Sequence, residues 1–287
     1  MQQNGMTQQQ VDRIIQQRYS CRTFAQAPLP DGVIKKITRL LTDRTGPFGA
    51  KVRFCLMDKG AAAATRGQKL STYGIIKGAR WFIAGAVRQG IHAMEDYGFC
   101  LEHIILELTA QELATCWLGA SYKRSAFARM LQLQEAELLP AVTPVGFAAA
   151  KPSLTARVVR FAARARKRKP WHKLFFADAP GDPLSRQQAG LWAPCLENVR
   201  LAPSASNRQP WRIIHEAGGQ VFHFYMQPTP GYDRVVKGVH LQRLDMGIAM
   251  LHFQLSAQAR NLPGTWVRKD PAHTPWTYIV SWQGRSA

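Results

Sequence analysis

Two stretches of this chain can be laid over one another without a gap. "EDYGFCLEHIILELTAQELATCWLG" (95–119) and "LDMGIAMLHFQLSAQARNLPGTWVR" (244–268) share Asp96/Asp245, Gly98/Gly247, His103/His252, Leu106/Leu255, Ala110/Ala259, Leu113/Leu262 and Trp117/Trp266. Apolar residues recur at three and four in both, and no proline interrupts before residue 263. That spacing predicts a long helix, a short turn and a strand carrying tryptophan, twice over. A unit that occurs twice limits the fold more than any composition does, because both copies must adopt the same local plan.

A second pairing precedes the first. "VIKKITRLLTDRTGPFGAKVRFCLM" (33–57) resembles "WAPCLENVRLAPSASNRQPWRIIHE" (192–216), with Ile34, Ile37 and Leu40 standing where Ala193, Leu196 and Val199 stand. Each reads as an amphipathic helix, a turn-rich loop and a short apolar strand. The chain is therefore expected to be α+β. Residues 1–150 form a first half, 151–181 a basic linker, and 182–287 a second half on the same helix–loop–strand–helix–strand plan. Two such halves can pack as a fused pseudo-dimer that buries one interface within a single chain. Two similar domains side by side, with no shared site, satisfy the repeat equally well.

The chain has 287 residues, an apolar fraction of 46% and a net charge of +20. A sizeable core is affordable, and no apolar run reaches the roughly 18 residues of a membrane span. The polar start "MQQNGMTQQQ" lacks the layout of a signal peptide. Five cysteines, Cys21, Cys55, Cys100, Cys116 and Cys195, are scattered without a C-x-x-C pair. This argues against a disulfide framework or zinc site and for a reducing, cytoplasmic setting. The charge attracts phosphates, nucleic acid or anionic membrane nonspecifically. It is concentrated in "RVVRFAARARKRKPWHK" (157–173), where Arg157, Arg160, Arg164 and Arg168 fall near one helical face. No aromatic interleaving accompanies it, so a solvated linker helix is the preferred reading and nucleic acid is not an expected partner.

The halves differ in their polar loops. "RYSCR" (18–22) has no counterpart in the second half, and "PSASNRQPW" (203–211) faces only "GPFGAKVRF" in the first. If 18–22 is extended, Arg18, Ser20 and Arg22 share a face, two guanidinium forks with a hydroxyl between them, suited to a phosphate or a planar polar edge. Ser and Asn also favour plain turns. The complementary losses make sense if one composite site takes the arginine segment from one half and the Ser/Asn loop from the other.

These stretches resemble a known family. "RYSCR" is similar to the arginine–x–serine–x–arginine opening of FMN-dependent nitroreductases, and "APSASNRQPW" to their Ala-Pro-Ser-x-x-Asn-x-Gln-Pro-Trp loop. "YGIIKGA", "TCWLGASYKRSAF", "PAVTPVGFAA", "RKRKPWHKLFF" and "LDMGIAMLHF" resemble the tandem single-chain branch, the "putative TM nitroreductase" family, in order along nearly the whole chain. The resemblance implies two nitroreductase-like half-domains, each a mainly antiparallel sheet with flanking helices, and one FMN between them. It implies that Arg18, Ser20 and Arg22 hold the phosphate and pyrimidine edge, with Pro203, Ser204 and Asn207 lining the ribityl chain and ring from across the interface. Leu118 and Gly119 would offer backbone N–H toward the flavin's reactive edge, and Arg166 and Arg168 would reach the phosphate. The second site should be dead. Tyr19 stands where many relatives have a basic residue, and Leu118 where many have an acidic one.

The function so implied is an NAD(P)H oxidoreductase working by ping-pong electron transfer through FMN to a small aromatic or quinone-like acceptor. Arg22 is the candidate for stabilising the reduced flavin, and no side-chain acid or base is assigned. The chain is expected to be a monomer acting as a pseudo-dimer. A flavin carrier or sensor without turnover, and a basic nucleic-acid-associated protein, are the alternatives. His103 and Glu107, four apart on a helix, recur only as His252 and Ser256, which favours a packed polar pair over metal ligands. Cys116 has Thr265 as counterpart and no paired base, so it is expected to be buried and inert. No G-x-G-x-x-G follows a strand, and "GPFGAK" lacks a P-loop's ending.

Overall fold

The computed structural model describes residues 6–66, 69–151, 153, 156, 167–232, 238–269, 271 and 274–285. In the first half, α1 (Gln8–Gln17) and α2 (Asp31–Leu40) precede β1 (Arg44–Thr45), β2 (Lys51–Asp58), α3 (Lys59–Arg66) and β3 (Trp81–Arg88). The long α4 (Ala93–Ala110) leads to β4 (Ala114–Thr115), α5 (Arg124–Leu131), β5 (Glu137–Leu138) and β6 (Val142–Gly146). The second half runs β7 (Phe175–Ala177), α6 (Arg186–Ala189), α7 (Ala193–Leu201), β8 (Trp211–His215), β9 (Val221–Met226), α8 (Leu241–Ala259), β10 (Gly264–Val267) and β11 (Thr277–Gly284).

The two sheets match in order over four strands and differ at the fifth. One is β4-β6-β3-β2-β1, with β5 on β3, and the other is β10-β11-β9-β8-β7. All pairs are antiparallel except β7, which runs parallel to β8. The fold is thus α+β with two related half-domains. Each half carries an extra strand before its long helix and another after it, so the expected plan was short by β3, β6, β9 and β11. The apolar alternation of these strands is weak because most of their residues are buried on both faces. The segment read as linker also carries β7, the edge strand of the second sheet.

The repeat becomes a symmetry at the crossing of α4 and α8. A Cβ on Gly98 would overlap the carbonyl oxygen of Leu244, and a Cβ on Gly247 would overlap that of Glu95. Gly98 and Gly247 are repeat mates, and so are Glu95 and Leu244. Residue i meets j and j's mate meets i's mate, which is the geometry of a two-fold contact. Two helix backbones approach this closely only where both carry glycine. Fully buried residues of both helices, among them Leu101, Ile104 and Ile105 on α4 and Met250, Leu251 and Phe253 on α8, extend the core along the crossing.

A buried polar network fastens the same crossing. Glu102 of α4, fully buried, accepts from Trp117 Nε1 at 2.6 Å and lies 2.9 Å from Nε2 of His252 on α8. The other ring nitrogen of His252 is 3.0 Å from the Asn198 carbonyl. Asn198 donates to Asp12 at 2.7 Å, which ties α1 to the second half. His103, the mate of His252, sits instead beside Arg44 at 3.0 Å, and Arg44 pairs with Glu107 at 2.7 Å. Burial, with Arg44 adding to it, pushes His103 down to about 4.

Gly98→Ala and Gly247→Ala are each expected to cost at least about 2 kcal/mol, because the helices must separate or the backbone shift. Gly32→Ala, with nothing within 4 Å of its Cβ position, should change stability by under about 1 kcal/mol. Denaturant unfolding of the three variants measures both. Equal, small effects would mean that the crossing does not depend on these glycines.

Candidate cofactor cleft between the halves

The 201–211 loop has an unusual backbone. Pro203 follows the end of α7, where a ring without N–H cannot continue a helix. Ser206, Asn207 and Gln209 then take positive φ of 47°, 55° and 49°. Left-handed backbone at three non-glycine residues in so short a loop is uncommon and persists only where side chains over-determine it.

They do so here. Ser204 Oγ accepts from the Gln209 amide at 2.8 Å, and the Asn207 amide reaches back to the Ser204 carbonyl at 2.9 Å. Gln209, only 2% exposed, accepts from the Lys169 amide at 2.7 Å and donates to Asn207 Oδ1 at 3.1 Å. Asn207 Nδ2 donates to the Lys167 carbonyl at 2.8 Å, and its Oδ1 lies 3.3 Å from Arg168 Nη1. The loop is a clamp on residues 167–169. Arg168 also donates to the Leu201 carbonyl at 3.0 Å, so its guanidinium is fixed at the end of α7.

Across the interface, residues 18–24 are extended. Ser20 bridges Thr115 in parallel, and the Cys21 amide donates to the Thr115 carbonyl at 2.8 Å. Cys21 points into the core, whereas Tyr19 is exposed. Arg18 is held near Glu102, 3.8 Å from its carboxylate, with its side chain only 6% exposed. Nε of Arg18 and Nε of Arg22 are buried and have no hydrogen-bond partner among the described residues.

A cleft of about 300 Å³ opens between these two segments. Arg18, Ser20 and Arg22 line one side, and Pro203, Ser204 and Asn207 the other. Arg168, Leu118 and Gly119 also reach it. Of the residues singled out from sequence, Arg166 lies outside the described residues, as do Arg157, Arg160 and Arg164 of the basic run. The cleft draws on both halves, as a composite site requires.

The structure alters two of the expected roles. The Leu118 amide donates to the Val142 carbonyl at 3.0 Å, closing a bridge, so this N–H is not offered to a ligand. Gly119 makes no such bond among the described residues, and a Cβ there would come within 2.6 Å of Leu241 Cδ2. Asn207 meets the cleft, but its amide group is engaged in holding the 167–168 backbone and Arg168. Ser204 accepts a bond and leaves its own hydroxyl proton without an acceptor among the described residues.

Sequence reading missed Asp245 and Tyr232. Asp245, 2% exposed, accepts from the Ala205 amide at 2.9 Å and lines the cleft. Tyr232 donates to Ser206 Oγ at 2.8 Å. The signal for Asp245 was present, since it aligns with Asp96. That residue does the same work in the first half, accepting from the Phe48 amide at 2.9 Å and the Ala50 amide at 2.7 Å. Burial raises both carboxyls, Asp96 to about 6 and Asp245 to about 8.

The electrostatics of the cleft ask for an anion. Burial pushes Arg168 down to about 10, with Arg18 and Arg200 adding to it. Guanidinium groups gathered with buried, unpartnered N–H and a glycine-lined wall suit a phosphate-bearing planar ligand.

The pseudo-symmetric place in the other orientation is filled. Gly119 is replaced there by Arg268, Leu241 by His92 and Asn207 by Phe48. Phe48 stacks on His92 with ring centroids 4.0 Å apart, and Arg268 Nη1 lies 3.3 Å from His92 Nε2. Arg243 pairs with Glu95 at 2.6 Å beside them.

A family model described as "Putative TM nitroreductase" matches residues 10–257. The chain belongs to that family. A solved structure described as a putative nitroreductase from Thermotoga maritima is 19% identical and covers 98% of this chain and 95% of its own, with a TM-score of 0.61. The fold is that of a nitroreductase. Two shorter chains each cover 50% of this one. The first, a putative NADH dehydrogenase/NAD(P)H nitroreductase from Bacteroides thetaiotaomicron, is 19% identical over 90% of its length, TM-score 0.39. The second, a nitroreductase with bound FMN from Desulfitobacterium hafniense, is 20% identical over 92%, TM-score 0.37. No curated protein matches. Among the described residues no helix is long and apolar enough to cross a membrane.

The two raised carboxyls make a stability prediction. A carboxyl whose folded pKa lies above its unfolded value of about 3.9 binds its proton more tightly in the folded state. Its favourable contribution declines as pH rises from about 4, until the folded pKa is passed. Between pH 6 and 8 Asp245 should therefore lower unfolding free energy by up to about 1.4 kcal/mol per pH unit. Asp245→Asn should flatten that slope in a pH series of denaturant unfolding, and an unchanged slope would count against a raised Asp245.

Proposed function

We propose that this nitroreductase-family chain is an FMN-dependent NAD(P)H oxidoreductase with one flavin per chain, bound in the cleft between its halves. The observation that carries the reading is the convergence of Arg18, Ser20 and Arg22 from one half with Arg168 of the joining segment and the 203–207 loop of the other half, around a cleft where Arg18 Nε and Arg22 Nε have no hydrogen-bond partner among the described residues. Bound FMN would supply transfer of electrons from NAD(P)H to a small aromatic or quinone-like acceptor, in two half-reactions at one site.

The chain's own residues divide the work. Arg18, braced by Glu102, and Arg168, braced by the Leu201 carbonyl and Asn207, put fixed positive charge where a phosphate can be held. Arg22 adds positive charge that favours a ligand gaining electrons. Ser20 and Ser204 bring hydroxyls, and the Gly119 backbone brings an N–H beside Leu241. Asn207 and Gln209 act as positioning residues, because they hold the Lys167–Lys169 strip rather than present free groups. The division 1–150, 151–181 and 182–287 stands as our proposal for two halves and a joining segment, with β7 paired into the second sheet. The filled pseudo-symmetric place supports a single cofactor.

Two measurements test this. Purified protein titrated with FMN should bind one equivalent per chain, and two equivalents would overturn the single-site reading. Arg22→Ala and Asn207→Ala, from opposite halves, should each weaken FMN binding, about tenfold or more for loss of a charged contact. Steady NAD(P)H oxidation with a quinone acceptor distinguishes an enzyme from a flavin carrier, which would bind FMN without turnover.

A further inference from the structure

The repeat exposes a difference between its two aspartates. In the first half both oxygens of Asp96 are occupied, Oδ1 by the Phe48 amide and Oδ2 by the Ala50 amide. In the second half the mates of Phe48 and Ala50 are Asn207 and Gln209. Neither amide goes to Asp245, since Asn207 N donates to the Ser204 carbonyl and Gln209 N to Ser204 Oγ. Asp245 keeps one bond, from the Ala205 amide to Oδ1, and its Oδ2 is buried with no partner among the described residues. Ser204, whose mate in the same register is Thr45, has taken over part of the aspartate's loop-holding work.

An unpartnered carboxyl oxygen at 2% exposure is costly unless something meets it. Asp245 lines the cleft. Beside Asp96, Phe48 donates to the carboxylate and stacks on His92. We propose that Asp245 is a ligand-facing residue of the cleft, its protonated Oδ2 donating a hydrogen bond to the bound flavin. The assignment rests on the flavin reading above. It adds an acid group to a site for which the family motifs supplied arginines, hydroxyls, an amide and backbone.

The surroundings favour the protonated form of that carboxyl, raising it to about 8. Burial is the dominant influence and the Ala205 amide only partly opposes it. No cation is among the groups acting on Asp245. Facing it from the loop side is Tyr232, whose own hydroxyl is raised by burial and by Asp245. On α4, Asp96 is held by its two amides and Glu95 is paired with Arg243, and neither is among the groups acting on Asp245. Arg18, Arg22 and Arg168 line other walls of the same cleft. A protonated carboxyl can donate where a carboxylate can only accept.

The test is FMN affinity against pH, by fluorescence titration of the whole chain, for wild type, Asp245→Asn and Asp245→Ala. If binding needs the proton, wild-type Kd should rise about tenfold between pH 7 and pH 9, as expected for a group titrating near 8. Asp245→Asn keeps a donor and should show a flat profile. Asp245→Ala should bind more weakly than wild type at pH 7. Infrared difference spectra on adding FMN should show a perturbed protonated-carboxyl band in wild type that is lost in Asp245→Asn. Parallel wild-type and Asp245→Asn profiles, or no carboxyl band, would overturn the assignment while leaving the FMN site intact. Absence of FMN binding by wild type would overturn the flavin reading, and this inference with it. Unfolding curves at pH 7 identify a variant that fails to fold, in which case the infrared band of the wild type alone decides.

Discussion

The close crossing of α4 and α8 is the constraint from which the rest of this molecule follows. Two glycines in repeat register let the helix backbones touch, each against the carbonyl of the other's mate. That contact fixes the halves about a pseudo-two-fold axis. It also brings the 18–22 segment of one half opposite the 203–207 loop of the other. Fusion in one chain then frees the two sides to diverge, because no symmetry operator forces a change in one half to appear in the other.

Divergence has been local and physically legible. One side keeps guanidinium groups with unpartnered donors, a glycine at 119 and a loop held in left-handed backbone. The other fills the same space with Phe48, His92 and Arg268. The equivalent aspartates keep their places at the helix starts in both halves. Even so, Asp96 is saturated by its loop and Asp245 is not. Glu102 links these features, since one buried carboxylate accepts from Trp117, lies against His252 across the interface and stands near Arg18.

Much of this could be read without coordinates. Helical spacing over 95–110 and 244–259 marked both long helices. The complementary loss of "RYSCR" and "PSASNRQPW" pointed to a composite cleft, and residues from both stretches line it. The strands β3, β6, β9 and β11 were harder, because strands buried on both faces lack the alternation that betrays a half-exposed one. β7 was hidden inside a stretch whose charge spoke louder than its three apolar residues.

Chain order and residue type thus settled that there are two copies of one plan, and that only one copy of each polar segment survives. Those are properties of neighbours along the chain. Which groups are spent and which remain was settled only on folding. Leu118 gives its N–H to Val142, Asn207 and Gln209 spend their amides on residues 167–169, and Asp245 keeps an oxygen free because Ser204 has replaced it. Each of those outcomes depends on a hydrogen-bond partner far away in sequence, or on competition between two acceptors for one donor, and neither is written in the local pattern.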